Sequence, residues 1–99
     1  MTAAMFLSKN GTLCGFILNG HAGKRVLCAA VSSAALLTAN TITEICGCEA
    51  AIEEADGFLS LRVLDEMEKA APHLLGLRLH LTQLREQYPK HIQVETTEV

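Results

Sequence analysis

Two turn-forming dipeptides, Asn10-Gly11 and Asp56-Gly57, constrain the fold of this 99-residue chain more than any other feature. Each stands between two segments that are rich in apolar residues. Asn-Gly is the preferred pair in the two-residue type I′ turn, because both central residues of that turn need a positive φ. Asp-Gly is a second turn signal. The sequence therefore predicts two β-hairpins, with strands over 3–8 and 13–18 in the first and over 48–54 and 58–64 in the second.

The position of each turn also predicts which residues face one another across the hairpin. In the second hairpin this register puts apolar residues on one face and mostly polar residues on the other, as in a sheet with one wet side. The expected pairs are Met5 with Phe16 and Leu7 with Cys14 in the first hairpin, and Ile52 with Leu61 and Ala50 with Val63 in the second.

Helical periodicity follows each hairpin. Apolar residues recur every three to four positions from Leu27 to about Glu44, without proline or glycine. A leucine stripe that ends at Tyr88 predicts a second helix, with Pro72 in its first turn. Residues 92–95 then alternate like a short last strand, and the tail 96–99 is expected to be loose.

The predicted order of elements is strand, strand, helix, strand, strand, helix, strand. This order predicts a single α+β domain over residues 1–99, in which two helices pack on one face of a largely antiparallel sheet of about five strands.

Composition excludes several classes of protein. The net charge is −3 and the eight Lys and Arg residues are scattered, so no direct binding of nucleic acid is expected. The longest mainly apolar run, 26–38, is shorter than the roughly 20 residues of a membrane span, so no membrane partner is expected. Without a basic, apolar leader, the four cysteines are read as reduced thiols and the protein as cytoplasmic.

The loop before the first predicted helix carries the densest set of reactive side chains. Because that helix is predicted to begin near Leu27, Cys28 lies in its first turn, where unpaired N–H groups and the helix dipole favour a thiolate. His21, at the other end of the loop, is a candidate base. The backbone N–H groups of Ala29 and Ala30 are candidate oxyanion donors. A buried, inert thiol and a solvated histidine fit the same spacing.

A zinc site is the main chemical alternative. Cys46 and Cys48, together with His21 and Cys28, would supply the four ligands of a Cys₃His site. Zinc-binding cysteines are usually two to four residues apart, however, and only Gly47 separates this pair. Two buried thiols at a helix–strand junction are therefore preferred, and neither a metal nor a cofactor is predicted.

The remaining histidines are expected to be solvated or partial surface residues, and the acidic hairpin tip is expected to be solvated. His73, His80 and His91 have no matching partner nearby in sequence. The acidic residues Glu53, Glu54 and Asp56 surround the second turn, where a wet tip is the simplest reading.

One motif resembles a known family. Gly20-His21-Ala22, followed by a short loop and then by Cys28-Ala29-Ala30-Val31-Ser32, is similar to the signature of the bacterial ribosomal-processing cysteine proteases, the Prp family. The layout of hairpin, signature, second hairpin, leucine-rich helix and final strand is also similar, so the resemblance spans nearly the whole chain.

The resemblance implies a specific activity. Members of that family use a Cys–His dyad, usually as homodimers, to remove a short N-terminal extension from large-subunit ribosomal protein number twenty-seven, next to a bulky apolar pair. On this chain it implies Cys28 as nucleophile and His21 as base. It also places Ser32 in the lining of the site, and Gly20 and Ala22 in the turn around the histidine. The implied partner is a ribosomal protein with an N-terminal extension.

Two features depart from the family pattern. An acidic residue often lies three positions before the cysteine in the family, where this chain has Arg25. The loop between His21 and Cys28 has only six residues and is shorter than usual. Two alternatives therefore stay open: a non-catalytic, ribosome-associated peptide-binding module, and a small zinc-stabilised structural protein.

Overall fold

The computed structural model describes residues 1–99 and has the predicted order of elements. A five-residue π-helical segment, Thr41–Ile45, directly continues the first helix. The elements are β1 (Thr2–Lys9), β2 (Thr12–Asn19), α1 (Arg25–Asn40), β3 (Ala50–Ala55), β4 (Phe58–Val63), α2 (Met67–Gln87) and β5 (Ile92–Glu98).

The five strands form one sheet in the order β3-β4-β2-β1-β5. All neighbouring pairs are antiparallel except β1 and β5, which run parallel. The prediction of a largely antiparallel sheet of about five strands is thus confirmed.

The last strand is longer than predicted. Residues 96–98 were expected in a loose tail, but they continue β5 and pair with Phe6, Leu7 and Ser8 of β1. The N–H of Val99 also donates to the carbonyl of Ser8 at 2.8 Å. Pairing along its whole length satisfies backbone groups on the open side of β1, which explains why the strand extends.

The register of the second hairpin is confirmed, and that of the first is wrong by one residue. Asn10 and Gly11 have φ of 54° and 81°, as a type I′ turn needs. Beyond the turn, however, a bulge between Leu7 and Ser8 leaves Cys14 as an extra residue in β2. The observed partners are therefore Met5 with Ile17, Phe6 with Phe16 and Leu7 with Gly15.

Both helices begin earlier than predicted. The first begins at Arg25 rather than near Leu27. The second begins at Met67, which places Pro72 inside the helix rather than in its first turn. Ala70 is fully buried, so its packing against the core favours helix ahead of the proline. Pro72 removes only one backbone N–H donor close to the helix start.

One hydrophobic core lies between the helices and one face of the sheet. Phe6 and Phe16, paired across β1 and β2 with ring centroids 6.4 Å apart, are fully buried at its centre. The predicted helix stripes supply the opposite layer, with Val31 from α1 and Leu74 and Leu81 from α2. This packing confirms two helices on one face of the sheet and holds the β2–α1 loop at one end of it.

The first helix and its π-helical continuation together are long and apolar enough to cross a membrane by length and composition alone. Although the longest apolar run is too short for a span, small residues lengthen the apolar stretch of this helix. Leu27, Val31 and Ala35 belong to the core, which accounts for one face of this helix. Val26, Leu37 and Ile45 are exposed.

Candidate active site

The loop between β2 and α1 is bent by two glycines. Gly20 and Gly23 have φ of 91° and 84°, in the left-handed region that suits glycine. The N–H of Gly20 donates to the carbonyl of Gly57 at 2.8 Å, which ties the loop to the β3–β4 turn. Between the glycines, Ala22 is buried and His21 is exposed. The loop therefore turns His21 outward and Ala22 inward.

The sulfur of Cys28 faces this loop. Cys28 is the fourth residue of α1, and its own N–H donates to the carbonyl of Lys24 at 2.9 Å. The N–H of Ala22 points at the Cys28 Sγ from 3.2 Å. A donor aimed at the sulfur, next to a helix start without acidic residues, stabilises negative charge on it.

The predicted oxyanion donors do not fit this helix. Because α1 begins at Arg25, the amides of Ala29 and Ala30 lie beyond its first turn. Amides there bond to carbonyls four residues back and are not free to bind an oxyanion. The unpaired N–H groups belong instead to the residues up to Leu27.

His21 lies over the second hairpin turn. Its Nε2 is 3.9 Å from Asp56 Oδ1, and its ring lies against the backbone of Gly57. No hydrogen bond joins His21 to Cys28 in this structure. An acid therefore lies beside the histidine, although it comes from the β3–β4 turn and not from position 25, where Arg25 is exposed. The expectation that Asp56 belongs only to a solvated tip missed this proximity.

A groove of about 680 Å³ runs between α1 and the β3–β4 hairpin. His21 and Cys28 both line it, as do Gly20, Ser32 and Ala29 among the predicted site residues. Ala22 and Ala30 do not. Apolar side chains form much of its walls, namely Leu18, Val31, Leu36, Phe58 and Leu59. The structure thus brings the nucleophile and base candidates to one open, largely apolar groove.

The three remaining histidines lie wholly or partly at the surface, as predicted. His80 is exposed, and His73 and His91 are half-buried. His73 Nε2 lies 3.4 Å from the Cys46 Sγ, and His91 Nδ1 lies 2.8 Å from the carbonyl oxygen of Ala22. Both contacts join residues far apart in sequence, which explains why no local pattern indicated them.

The ligand set of the zinc alternative is not assembled. Cys28 contacts the loop at one end of α1, whereas Cys46 contacts His73 beyond the other end of that helix. No three His, Cys, Asp or Glu side chains are grouped so that they could hold a metal ion.

The thiols are expected to react at different rates. Burial raises the pKa of Cys14, an effect that Arg62 partly offsets, and burial together with Cys46 raises the pKa of Cys48. A raised pKa keeps a thiol protonated and unreactive at neutral pH. Iodoacetamide should therefore alkylate Cys28 before Cys14 and Cys48, as followed by peptide mass spectrometry. In urea all three should react alike, and equal slow labelling of all three in the folded protein would contradict the assignment.

Comparison with known proteins decides the family. A family model described as the cysteine protease Prp matches residues 1–93. This chain belongs to the Prp family of cysteine proteases. The matched region includes the loop, Cys28 and the whole groove. The sequence has no significant match among curated proteins.

Several solved structures share this fold. Prp from S. aureus, described as an essential ribosomal processing protease, superposes with a TM-score of 0.89 in complex with a covalently linked product peptide, at 22% identity over 98% of this chain and 100% of that one. Its complex with a substrate peptide gives a TM-score of 0.88 at 20% identity over the same shares of the two chains. SMU.848 from Streptococcus mutans gives 0.85 at 24% identity over 100% of this chain and 96% of that one.

Proposed function

We propose that this Prp-family protease removes the N-terminal extension of large-subunit ribosomal protein number twenty-seven during ribosome assembly, with Cys28 as nucleophile and His21 as base. The observation that carries the proposal is that both side chains line one open groove. The S. aureus relative, described as a ribosomal processing protease, has been crystallised with substrate and product peptides, which supports a peptide as the occupant of this groove. Following the family resemblance, we place the activity in a homodimer, and the reading of the four cysteines as reduced thiols favours the cytoplasm.

The chemistry follows from the two side chains. His21 takes the thiol proton, and the Cys28 sulfur attacks the scissile carbonyl carbon to give a tetrahedral intermediate. The intermediate collapses, the C–N bond breaks, and His21 returns the proton to the leaving amine. Water then attacks the thioester with His21 as base, which releases the carboxylate product and the thiol. The mechanism requires His21 to reach the sulfur in the substrate complex, and such hydrogen bonds are often long in unliganded enzymes.

The walls of the groove suit an apolar cleavage site. Leu36 on α1 and Phe58 and Leu59 on β4 line the same groove as Cys28 and give it hydrophobic walls. Burying bulky apolar side chains there contributes binding free energy of about 1.5–3 kcal/mol for each side chain. Specificity for a bulky apolar pair next to the scissile bond is therefore consistent with the lining.

The test is mass spectrometry of a synthetic peptide that spans the extension junction, incubated with the reduced protein. We expect two products, cut next to the apolar pair. An intact peptide that nonetheless binds the folded protein would overturn the proposal in favour of the non-catalytic binding module. Sedimentation of the same sample tests the homodimer, which a monomer at micromolar concentration would contradict.

Gly57 is expected to position His21. A methyl group at Gly57 would lie 2.8 Å from His21 Nε2, whereas one at Gly47 would meet nothing within 4 Å. Both glycines have φ of 70°, so alanine at either costs about 1 kcal/mol of stability. Gly57→Ala alone should also lower kcat, by about tenfold or more, because the histidine ring is displaced.

Gly47→Ala is the matched control for that substitution. Cleavage rates and thermal unfolding of both variants are measured side by side. Equal cleavage by the two variants would show that the ring position over Gly57 is unimportant.

A further inference from the structure

We propose that His91 is a positioning residue for the nucleophile, because it holds the residue whose backbone N–H points at the Cys28 sulfur. The inference rests on the proposed function of Cys28. It adds a contribution from the segment between α2 and β5, which lies outside the groove and contains no residue of the predicted site.

Ala22 makes two hydrogen bonds through its backbone. His91 Nδ1 lies 2.8 Å from the carbonyl oxygen of Ala22, and the backbone nitrogen of Ala22 lies 3.2 Å from Cys28 Sγ. A carbonyl oxygen only accepts hydrogen bonds, so Nδ1 of His91 carries the proton. The imidazole thus restrains one side of Ala22 while the other side donates to the sulfur.

His91 is itself held on three sides. Its N–H donates to the carbonyl of Tyr88 at 3.0 Å, and its carbonyl accepts from the N–H of Thr2 at 2.9 Å. The planes of the His91 and Tyr88 rings are inclined at 67° in an edge-to-face arrangement, with centroids 6.5 Å apart. The ammonium of Lys24 lies 5.5 Å from the Tyr88 centroid, which attaches the same ring to the end of the loop. These contacts fix the position of the His91 side chain, so its hydrogen bond restrains Ala22.

The loop needs such a restraint because glycines flank its central residues. Gly20 and Gly23 lose more backbone freedom on ordering than other residues do. Gly20 is tied down through the hydroxyl of Thr2 and the carbonyl of Gly57. His91 makes the corresponding bond to Ala22, the residue that reaches the sulfur. Without the hydrogen bond from His91, the Ala22 N–H is no longer held against the sulfur. This loss affects the geometry of the reacting thiol more than the binding of substrate in the groove.

Two variants separate the hydrogen bond from the bulk of the ring. His91→Asn keeps an N–H donor at a position close to that of Nδ1, and His91→Phe keeps a ring without a donor. We expect His91→Phe to lower kcat for the junction peptide by about tenfold with KM unchanged, since small displacements at a reacting centre have effects of this size. His91→Asn should stay within about threefold of the wild-type kcat. His80→Ala, which removes an exposed histidine of α2, serves as the control and should match the wild type.

A second readout does not depend on the peptide. The rate of Cys28 alkylation by iodoacetamide at neutral pH should fall in His91→Phe and recover in His91→Asn, with Cys46 as internal reference. Wild-type values of kcat and alkylation in His91→Phe would overturn the inference, and so would equal losses in both variants. If the wild type leaves the peptide intact, the proposed cleavage fails, and the alkylation rates still decide whether His91 positions the thiol.

Discussion

Replacing Cys28 by alanine is expected to lower the rate of peptide cleavage by about 10⁴-fold or more, as loss of a covalent nucleophile does in other hydrolases. No other thiol can substitute for it, since Cys14 and Cys48 are buried and Cys46 does not line the groove. Removing one sulfur from a half-buried site should leave the fold intact. The measurement is the initial rate of product formation from the junction peptide, with thermal unfolding recorded in parallel.

Cys46→Ala is the matched control for this experiment. Cys46 is also half-buried, and it contacts His73, but that pair lies outside the groove. Cleavage by this variant should equal that of the wild type. A Cys28→Ala protein that keeps more than about 1% of the activity would contradict the assignment of the nucleophile, because the remaining active-site groups cannot form the thioester.

Gly15→Ala is expected to destabilise the protein by about 3 kcal/mol, a large part of the stability of a domain of this size. Gly15 lies in β2, between Leu7 of β1 and Arg62 of β4. A methyl group there would overlap the carbonyl oxygen of Leu61 and lie 3.1 Å from the Cα of Arg62. Both neighbours are backbone atoms, so the variant must move β4 away from β2.

Chemical denaturation measures this loss, and Gly76→Ala provides the comparison. Gly76 lies within α2, where an added methyl group meets nothing within 4 Å. Because alanine favours helix over glycine, this variant should be more stable by about 0.5–1 kcal/mol. A denaturation midpoint of Gly15→Ala at or above that of the wild type would contradict this prediction, because it would show that β4 moves away from β2 without loss of stability.

Local signals predicted the order of elements and both turns. Asn10-Gly11 and Asp56-Gly57 carry their own conformational preference, and the α2 leucines have a helical period that no strand would bury. The errors lie where distant contacts override local preference. The bulge at Cys14 changes the register beyond a correctly predicted turn. The pairing of residues 96–98 with β1 depends on a strand about ninety residues earlier in the sequence.

In the candidate site, too, local sequence predicted some residues, and contacts between distant residues determine the others. The spacing of His21 and Cys28 around a glycine-containing loop predicted that both lie at the start of α1, and both line the groove. Their supporting residues were missed, since Asp56 approaches from the β3–β4 turn and His91 from the end of α2. The Asp56-Gly57 turn was recognised from the sequence, but only the folded sheet brings it to His21. For His91 the sequence held no signal at all.

The parallel pairing of β1 with β5 has a consequence for how the protein is made. Thr2 pairs with Ile92, so β1 is synthesised first but pairs with β5, which is synthesised last. The β1–β5 side of the sheet therefore forms only after β5 is made. Contacts between such distant residues slow folding, because the long intervening chain must be ordered first. His91 immediately precedes β5 and contacts Ala22 in the β2–α1 loop. The hydrogen bond that restrains this loop therefore belongs to the segment of the sheet that is synthesised last.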